Sequence, residues 1–70
     1  MIITGELRNW QHVRKPYHIF WGNIYGDIKG RFPDGRRIHT SIVKKIQEFD
    51  DHYLVVTLNS VYKLNKCDKA

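Results

Sequence analysis

Turn-forming residues recur at short intervals along this chain and leave room only for short secondary-structure elements. They are Gly5, Pro16, Gly22, Gly26, Gly30, the Phe-Pro-Asp-Gly run at 32–35, and Asn59-Ser60. The segments between them are rich in Ile, Val, Thr, Tyr, Phe and Trp, whose stiff or flat side chains pack well on a pleated surface. The pattern predicts an all-β fold made mainly of antiparallel strands.

The first two strands are predicted from the alternation of apolar and polar residues. Alternation from Ile3 to Arg8 predicts a strand with one buried face, and Trp10 and Val13 leave that alternation as a β-bulge would require. Between residues 17 and 28 apolar side chains fall on both parities, so the second strand is expected to be covered on both faces. One face holds Tyr17, Ile19, Trp21 and Tyr25, and the other holds Phe20, Ile24 and Ile28.

The run at 32–36 is the clearest turn signal in the chain. Pro33 fixes φ at the first central position, Asp34 bonds back to the backbone, and Gly35 takes the left-handed conformation that closes a hairpin with a bulge. Alternation resumes at Ile38 and continues to Ile42, which predicts another strand after this turn.

Residues 40–49 are compatible with two structures. Ile42, Val43, Ile46 and Phe49 have helical spacing, but neither Thr40 nor Ser41 completes a capping box. We favour a single helical turn at 41–43 followed by a strand to Phe49. Further strands are expected at 53–58 and 61–64.

The predicted architecture is a small SH3-like or OB-like barrel of five strands, or a strongly bent sheet, with one short helical turn. The alternative is an α+β fold in which a helix at about 41–50 packs on a three-stranded sheet. Residues 1–64 are expected to form one domain, and residues 65–70 a disordered polar tail. A chain of 70 residues is too short for a Rossmann unit or a TIM barrel.

Compartment and assembly are predicted from the same residues. The longest apolar runs fall far short of the roughly 20 residues that span a bilayer, and the first residues lack a secretory signal pattern, so we expect a cytoplasmic protein without membrane association. Cys67 has no partner for an internal disulfide. A fold this small without disulfides gains stability from a homodimer or a bound partner.

Positive charge is concentrated in the first two thirds of the chain. Residues 1–46 hold nine basic and three acidic side chains, a surplus of six, while the whole chain has a net charge of +5. Cations and flat rings cluster around the 32–35 turn and form the candidate partner-binding set. Its members are Trp21, Tyr25, Lys29, Arg31, Arg36, Arg37, His39, Lys44 and Lys45. Such a set fits either a protein partner or a single-stranded nucleic acid, and it is also typical of an ordinary solvated hairpin.

No pattern for catalysis, metal or cofactor binding is found. The four histidines lack the spacing of a metal site, and no P-loop, Gly-x-Ser-x-Gly, RNP, KH or zinc-finger pattern occurs. The Asp residues fall at turns, where short carboxylates accept backbone N–H bonds. His39 beside Arg37 resembles the acid–base group of a small ribonuclease toxin, but no second acid or base accompanies it. The sequence therefore predicts a protein that is not an enzyme.

Three motifs lie between residues 20 and 64: WGNIYGD at 21–27, DGRRIHTSIV at 34–43 and VTLNSVYKL at 56–64. Together they resemble small uncharacterised proteins encoded by enteric tailed phages and prophages. The resemblance implies a bacterial cytosol and an accessory gene product of the kind that docks on a host enzyme or defence complex and inhibits it. It implies no catalytic or binding residue.

The sequence thus favours a non-enzymatic protein that docks on a bacterial host protein and inhibits or modulates it. A nucleic-acid-binding domain that uses the same basic hairpin is the alternative, and a ribonuclease-type toxin is a second one.

Overall fold

A computed structural model describes residues 2–70. It contains one six-stranded sheet and almost no helix. The strands are β1 (Gly5–Val13), β2 (Ile19–Tyr25), β3 (Arg37–His39), β4 (Val43–Glu48), β5 (His52–Thr57) and β6 (Val61–Asn65), followed by a 3-10 helix (Lys66–Asp68). Their order in the sheet is β3-β2-β1-β6-β5-β4. All neighbouring strands are antiparallel except β1 and β6, which are parallel.

The all-β prediction is confirmed in its strongly bent form, and the closed barrel is wrong. Strands β3 and β4 are the two free edges of the sheet. The sheet is nevertheless strongly curved, and the molecule has nearly equal dimensions of 27 × 26 × 25 Å. The N–H of Val43 donates to the carbonyl of His18 at 2.8 Å. This bond joins the start of β4 to the chain just before β2. There are six strands rather than five, and residues 37–48 contribute two of them, β3 and β4, separated by residues 40–42.

The predicted bulge in β1 is confirmed and explains how Trp10 reaches the core. The pairing of β1 with β2 shifts register between Arg8 and Gln11, and Asn9 has a left-handed φ of 53°. The extra residue turns Trp10 inward, where it is 4% exposed. Its indole N–H donates to the carbonyl of Asn65 at 2.8 Å, so the polar atom of this buried ring is satisfied.

The core lies on the concave face of the sheet. It consists of Leu7, Trp10, Phe20, Ile24, Ile38, Val43, Val55, Tyr62 and Leu64. The expectation that β2 is covered on both faces is wrong: Phe20 and Ile24 on one face are buried, whereas Trp21 on the other is exposed. Gly35 has a left-handed φ of 88°, as its turn requires. The outer residues of β2 therefore face solvent together with their partners on β1 and β3.

The strand expected to run to Phe49 is confirmed as β4, whereas neither the helical turn at 41–43 nor the alternative helix at about 41–50 is formed. Val43 pairs with Thr57 and Ile46 with Val55, with a register shift just after Val43. The additional residue at Lys44 changes the parity of the strand, so residues three apart face the same side. A β-bulge therefore produces the spacing that resembles a helix.

Residues 65–70, for which a disordered tail is expected, contain regular secondary structure. Asn65 ends β6, the 3-10 helix follows, and Lys69 forms a parallel bridge with Trp10. The N–H of Ala70 donates to the carbonyl of Trp10 at 2.8 Å. The backbone of Trp10, at the bulge of β1, thus holds the C-terminal segment of the chain in place. Within residues 2–70 no helix is long and apolar enough to cross a membrane.

Candidate functional site

Two grooves meet at His39, on the edge strand β3. The first has a volume of 210 Å³ and is lined by Tyr17, Ile19, His39, Thr40, Ser41 and Ile42. The second has a volume of 320 Å³ and is lined by Trp21, Phe32, Arg36, Arg37, Ile38 and His39. We call the solvent-facing members of both grooves the β3 patch: Tyr17, Ile19, Trp21, Arg36, Arg37, His39 and Ile42. The patch is apolar on one side of His39 and cationic on the other.

The apolar side of the β3 patch follows from the period of β2. Ile19 and Trp21 are two residues apart and project from the same face, and Trp21 is paired with His39 across the strands. The two rings lie 4.9 Å apart between centroids, at an angle of 56°. Trp21 is 37% exposed, Ile42 44% and Tyr17 62%, so these three large side chains leave much apolar surface in water.

The cationic side of the β3 patch contains one fixed and one freer guanidinium group. Nη1 of Arg37 donates to Oδ1 of Asn23 at 2.9 Å and to the carbonyl of Asn9 at 3.1 Å. Asn23 is held in turn, because its Nδ2 donates to the carbonyl of Gly35 at 2.9 Å. The guanidinium carbon of Arg36 lies 6.0 Å from the ring centroid of Phe32, and within residues 2–70 no hydrogen bond fixes this side chain. Arg37 is therefore preorganised for a partner, and Arg36 is adaptable.

Asp27 organises the loop that leads to the second groove. Its side chain is 1% exposed and accepts the backbone N–H bonds of Lys29, Arg31 and Phe32 at 3.0, 2.9 and 3.2 Å. The Nε atom of Arg31 lies 3.5 Å from the same carboxylate. Burial alone raises the pKa of Asp27, but the three N–H donors and the Arg31 cation outweigh it and hold the pKa below its ordinary value. The expected role of this carboxylate at a turn is confirmed.

Two of the sequence-predicted site residues, Lys29 and Arg31, bind within the molecule instead of facing the patch. Nζ of Lys29 donates to the carbonyl of Asn59 and lies 3.3 Å from Oγ of Ser60. Nη2 of Arg31 reaches the same Oγ at 3.3 Å and the hydroxyl of Tyr62 at 3.2 Å. These cations join the 26–36 loop to the turn before β6, and they satisfy the polar atom of the buried Tyr62.

The remaining predicted residues are distributed over the surface. Trp21, Arg36, Arg37 and His39 come together in the β3 patch. Tyr25 lies further along β2, with the guanidinium carbon of Arg8 at 4.2 Å from its ring centroid. Lys44 and Lys45 are exposed on β4, the opposite edge strand.

Sequence reasoning missed three apolar members of the β3 patch: Tyr17, Ile19 and Ile42. The period of two in β2 already placed Tyr17 and Ile19 on the face of Trp21, so that signal was present. The position of Ile42 depends on the bend between β3 and β4, which no local pattern indicated.

The chemistry available at the β3 patch is that of binding. Nδ1 of His39 lies 3.0 Å from the carbonyl of Thr40, so this nitrogen carries the hydrogen and donates it. The patch contains no carboxylate and no second imidazole to complete an acid–base pair. Within residues 2–70, no three or more His, Cys, Asp or Glu side chains are grouped so that they could hold a metal ion.

Comparisons with known proteins give no match: no family model matches the chain, and neither does any curated protein or solved structure.

Proposed function

We propose that this chain is a non-enzymatic binding protein that docks through the β3 patch on an acidic protein surface. The observation that supports this proposal is the direct junction, at His39, of an apolar groove with a groove that presents Arg36 and Arg37. The partner that fits is a protein segment with an apolar side chain for the first groove and neighbouring carboxylates for the guanidinium groups. Nothing in this function requires bond-making chemistry.

Three properties of the patch favour a protein partner. Exposed apolar side chains that adjoin one another on a small domain mark interaction surfaces. Trp, Tyr and Arg, which the patch combines, supply most of the energy at protein interfaces. Arg37 is already fixed by Asn23 and by the backbone of Asn9, so little side-chain entropy is lost on binding.

The proposed biological setting rests on the resemblance to small phage and prophage proteins. In that setting the partner is a host protein in the bacterial cytoplasm, and docking inhibits or modulates it.

A single-stranded nucleic acid is the second candidate ligand. It is favoured by the exposed ring of Trp21, which is paired with His39 and lines the same groove as Arg37, so that a base stacked on the ring would lie beside phosphate-binding cations. Two observations weaken this candidate. Lys29 and Arg31 are engaged by Asn59, Ser60 and Tyr62, which lowers the number of cations available to a phosphate chain. Besides His39, four of the seven side chains of the patch are aliphatic or aromatic, and these four add no charge contact with a phosphate.

The test is affinity purification from bacterial lysate, with and without nuclease, followed by binding measurements on the protein that is captured. We expect Ile42→Glu and Arg36→Glu each to weaken binding at least about tenfold, because one places a charge in the apolar groove and the other repels an acidic partner. Lys44→Glu and Lys45→Glu are matched charge reversals on the opposite edge and should change binding little. Thermal melts establish that each variant is folded.

Salt dependence separates the two candidates. Binding to a nucleic acid should fall steeply and linearly on a logarithmic plot between about 50 and 200 mM salt, and nuclease should abolish capture. Binding through an apolar groove should change less. Capture that survives nuclease but is unaffected by the Ile42 and Arg36 substitutions would show that the β3 patch is not the docking surface.

A further inference from the structure

Two histidines converge at the opposite end of the β1–β2 hairpin from the 26–36 loop. The Nε2 atoms of His12, near the end of β1, and His18, just before β2, are 2.6 Å apart. Their ring centroids are separated by 4.7 Å. The approach is a hydrogen bond, because two nitrogens at this distance require one hydrogen between them.

The surrounding structure fixes the position of both rings. The ring of His12 stacks on Phe20 at 4.3 Å, with an angle of only 3° between the planes, and Phe20 is 3% exposed. The carbonyl of His18 accepts the N–H of Val43, so the backbone of this residue is tied to β4. The pair is therefore held by the core and does not depend on the mobility of a surface turn.

The groups around the pair are cationic. A cavity of 240 Å³ opens beside His12, and Arg14 and Lys69 line it together with Trp10, Phe20, Ile46 and Tyr53. No carboxylate lies in this lining. Burial lowers the pKa of His12, and the nearby His18, Arg14 and Lys69 lower it further. The two Nε2 atoms thus share one hydrogen, and a positive charge on the His12 ring is disfavoured unless negative charge enters the cavity.

A metal ion does not suit this cavity. Two imidazoles are too few for a closed zinc site, and the cations of Arg14 and Lys69 repel a divalent ion. An oxyanion suits this cavity, because the cations attract its charge and because imidazolium, guanidinium and ammonium groups all donate hydrogen bonds to phosphate oxygens.

We propose that this cavity binds the phosphate group of a small phosphorylated ligand and takes up a proton on binding. The anion meets His12, Arg14 and Lys69, which line the cavity, and the hydrogen bond between His12 and His18 opens so that Nε2 of His12 takes up a proton and donates a hydrogen bond to a phosphate oxygen. Ile46 and Tyr53 form the wall against which the organic part of the ligand lies. No covalent step is involved, and the site is separate from the β3 patch.

The test is titration of the intact protein with sulfate and with a nucleoside 5′-monophosphate, followed by the NMR signals of the histidine rings. Sulfate keeps its charge between about pH 5.5 and 7.5, so its affinity reports only protonation of the protein. We expect sulfate to bind at least about tenfold more tightly at the lower pH, with shifts at His12 and His18. The monophosphate should bind more tightly than inorganic phosphate if the apolar wall contributes.

Variants separate this site from general attraction of anions to a basic protein. His12→Gln should abolish the pH dependence and His18→Gln should reduce it, whereas His52→Gln, at the start of β5 and outside the cavity lining, should leave it unchanged. Arg14→Ala leaves the ring stack intact and should weaken binding while the pH dependence remains. Equal sulfate affinity in the wild type, His12→Gln and Arg14→Ala proteins would overturn the proposal, as would tighter binding of Zn²⁺ than of either anion.

Discussion

Replacement of Asp27 by Ala is expected to lower the free energy of unfolding by about 3 kcal/mol, because several donors lose their acceptor at once. The backbone N–H groups of Lys29, Arg31 and Phe32 all bond to this carboxylate, and its side chain is 1% exposed. A buried donor without an acceptor costs about 1–3 kcal/mol. For three donors we expect a total near the lower limit, about 3 kcal/mol, because water reaches part of the loop. For a chain of this size, whose total stability is on the order of 3–10 kcal/mol, the loss is large.

The matched control for this substitution is Asp34→Ala. Asp34 also lies in the loop and accepts a backbone N–H, that of Gly26 at 2.8 Å, but the bond is single and exposed. We therefore expect a loss of less than about 1 kcal/mol for Asp34→Ala, measured by urea unfolding with tryptophan fluorescence. Similar losses for the two variants would show that Asp27 does not organise the loop.

The effect of Asp27→Ala should also depend on pH. In the folded protein the pKa of Asp27 is held below the ordinary value of 3.8. The unfolded state therefore binds a proton first as the pH falls, and the stability that this carboxylate contributes is present above pH 3.8 and lost as the pH falls through the folded pKa. The difference in stability between wild type and Asp27→Ala should consequently shrink in acid and stay constant near neutral pH.

The loop also connects stability with the candidate site. Asp27 fixes the backbone near residues 29–32, and Phe32 packs against the core while it contacts the side chain of Arg36. Arg36 and Arg37 follow this loop directly and form the cationic side of the β3 patch. Loosening of the loop is therefore expected to weaken docking through loss of preorganisation, without removal of a contact residue.

Local patterns predicted the strands well where only one face is buried. The alternation in β2 put Phe20 and Ile24 on the face opposite Trp21, although the expectation that both faces are covered was wrong, and the break at Trp10 correctly indicated a bulge. The same kind of break at Lys44 left a helix at about 41–50 as the alternative to a strand, since a bulge that brings Val43 and Ile46 to one face is indistinguishable in sequence from helical spacing. Only the pairing partner on β5 decides between the two, and that partner lies several residues further along the chain, beyond the reach of a local pattern.

The candidate site was less predictable for a physical reason of the same kind. Clustering along the chain selected Arg36 and Arg37, which lie in the β3 patch, but it also included Lys29 and Arg31, whose acceptors lie at Asn59, Ser60 and Tyr62, far along the chain. The His12–His18 contact depends on the register of the β1–β2 hairpin, which sets His12 opposite Phe20. Spacing alone cannot show that two side chains six residues apart meet across a turn.

Replacement of Gly22 by Ala is expected to lower the free energy of unfolding by about 2 kcal/mol, and replacement by Val by about 3 kcal/mol or more, through overpacking. Gly22 lies opposite the bulge of β1, because the register passes from Arg8–Asn23 directly to Gln11–Trp21. A Cβ at this position would lie 3.0 Å from Cβ of Leu7 and 3.3 Å from Cβ of Trp10. These contacts are with atoms next to the backbone, so rotation of a side chain does not relieve them.

Gly30 provides the control that separates steric crowding from backbone strain. Its φ is +66°, and a Cβ there would meet no atom within 4 Å. Gly30→Ala should therefore cost only about 1 kcal/mol, for the left-handed conformation, and Gly30→Asn should recover part of it. At Gly22 we expect the opposite order, with the Asn variant less stable than the Ala variant, because Asn is larger than Ala and the destabilisation there is steric. Urea unfolding of the Ala and Asn variants at both positions tests this contrast, and a Gly22→Ala protein as stable as the wild type would mean that β1 and β2 do not approach so closely at the bulge.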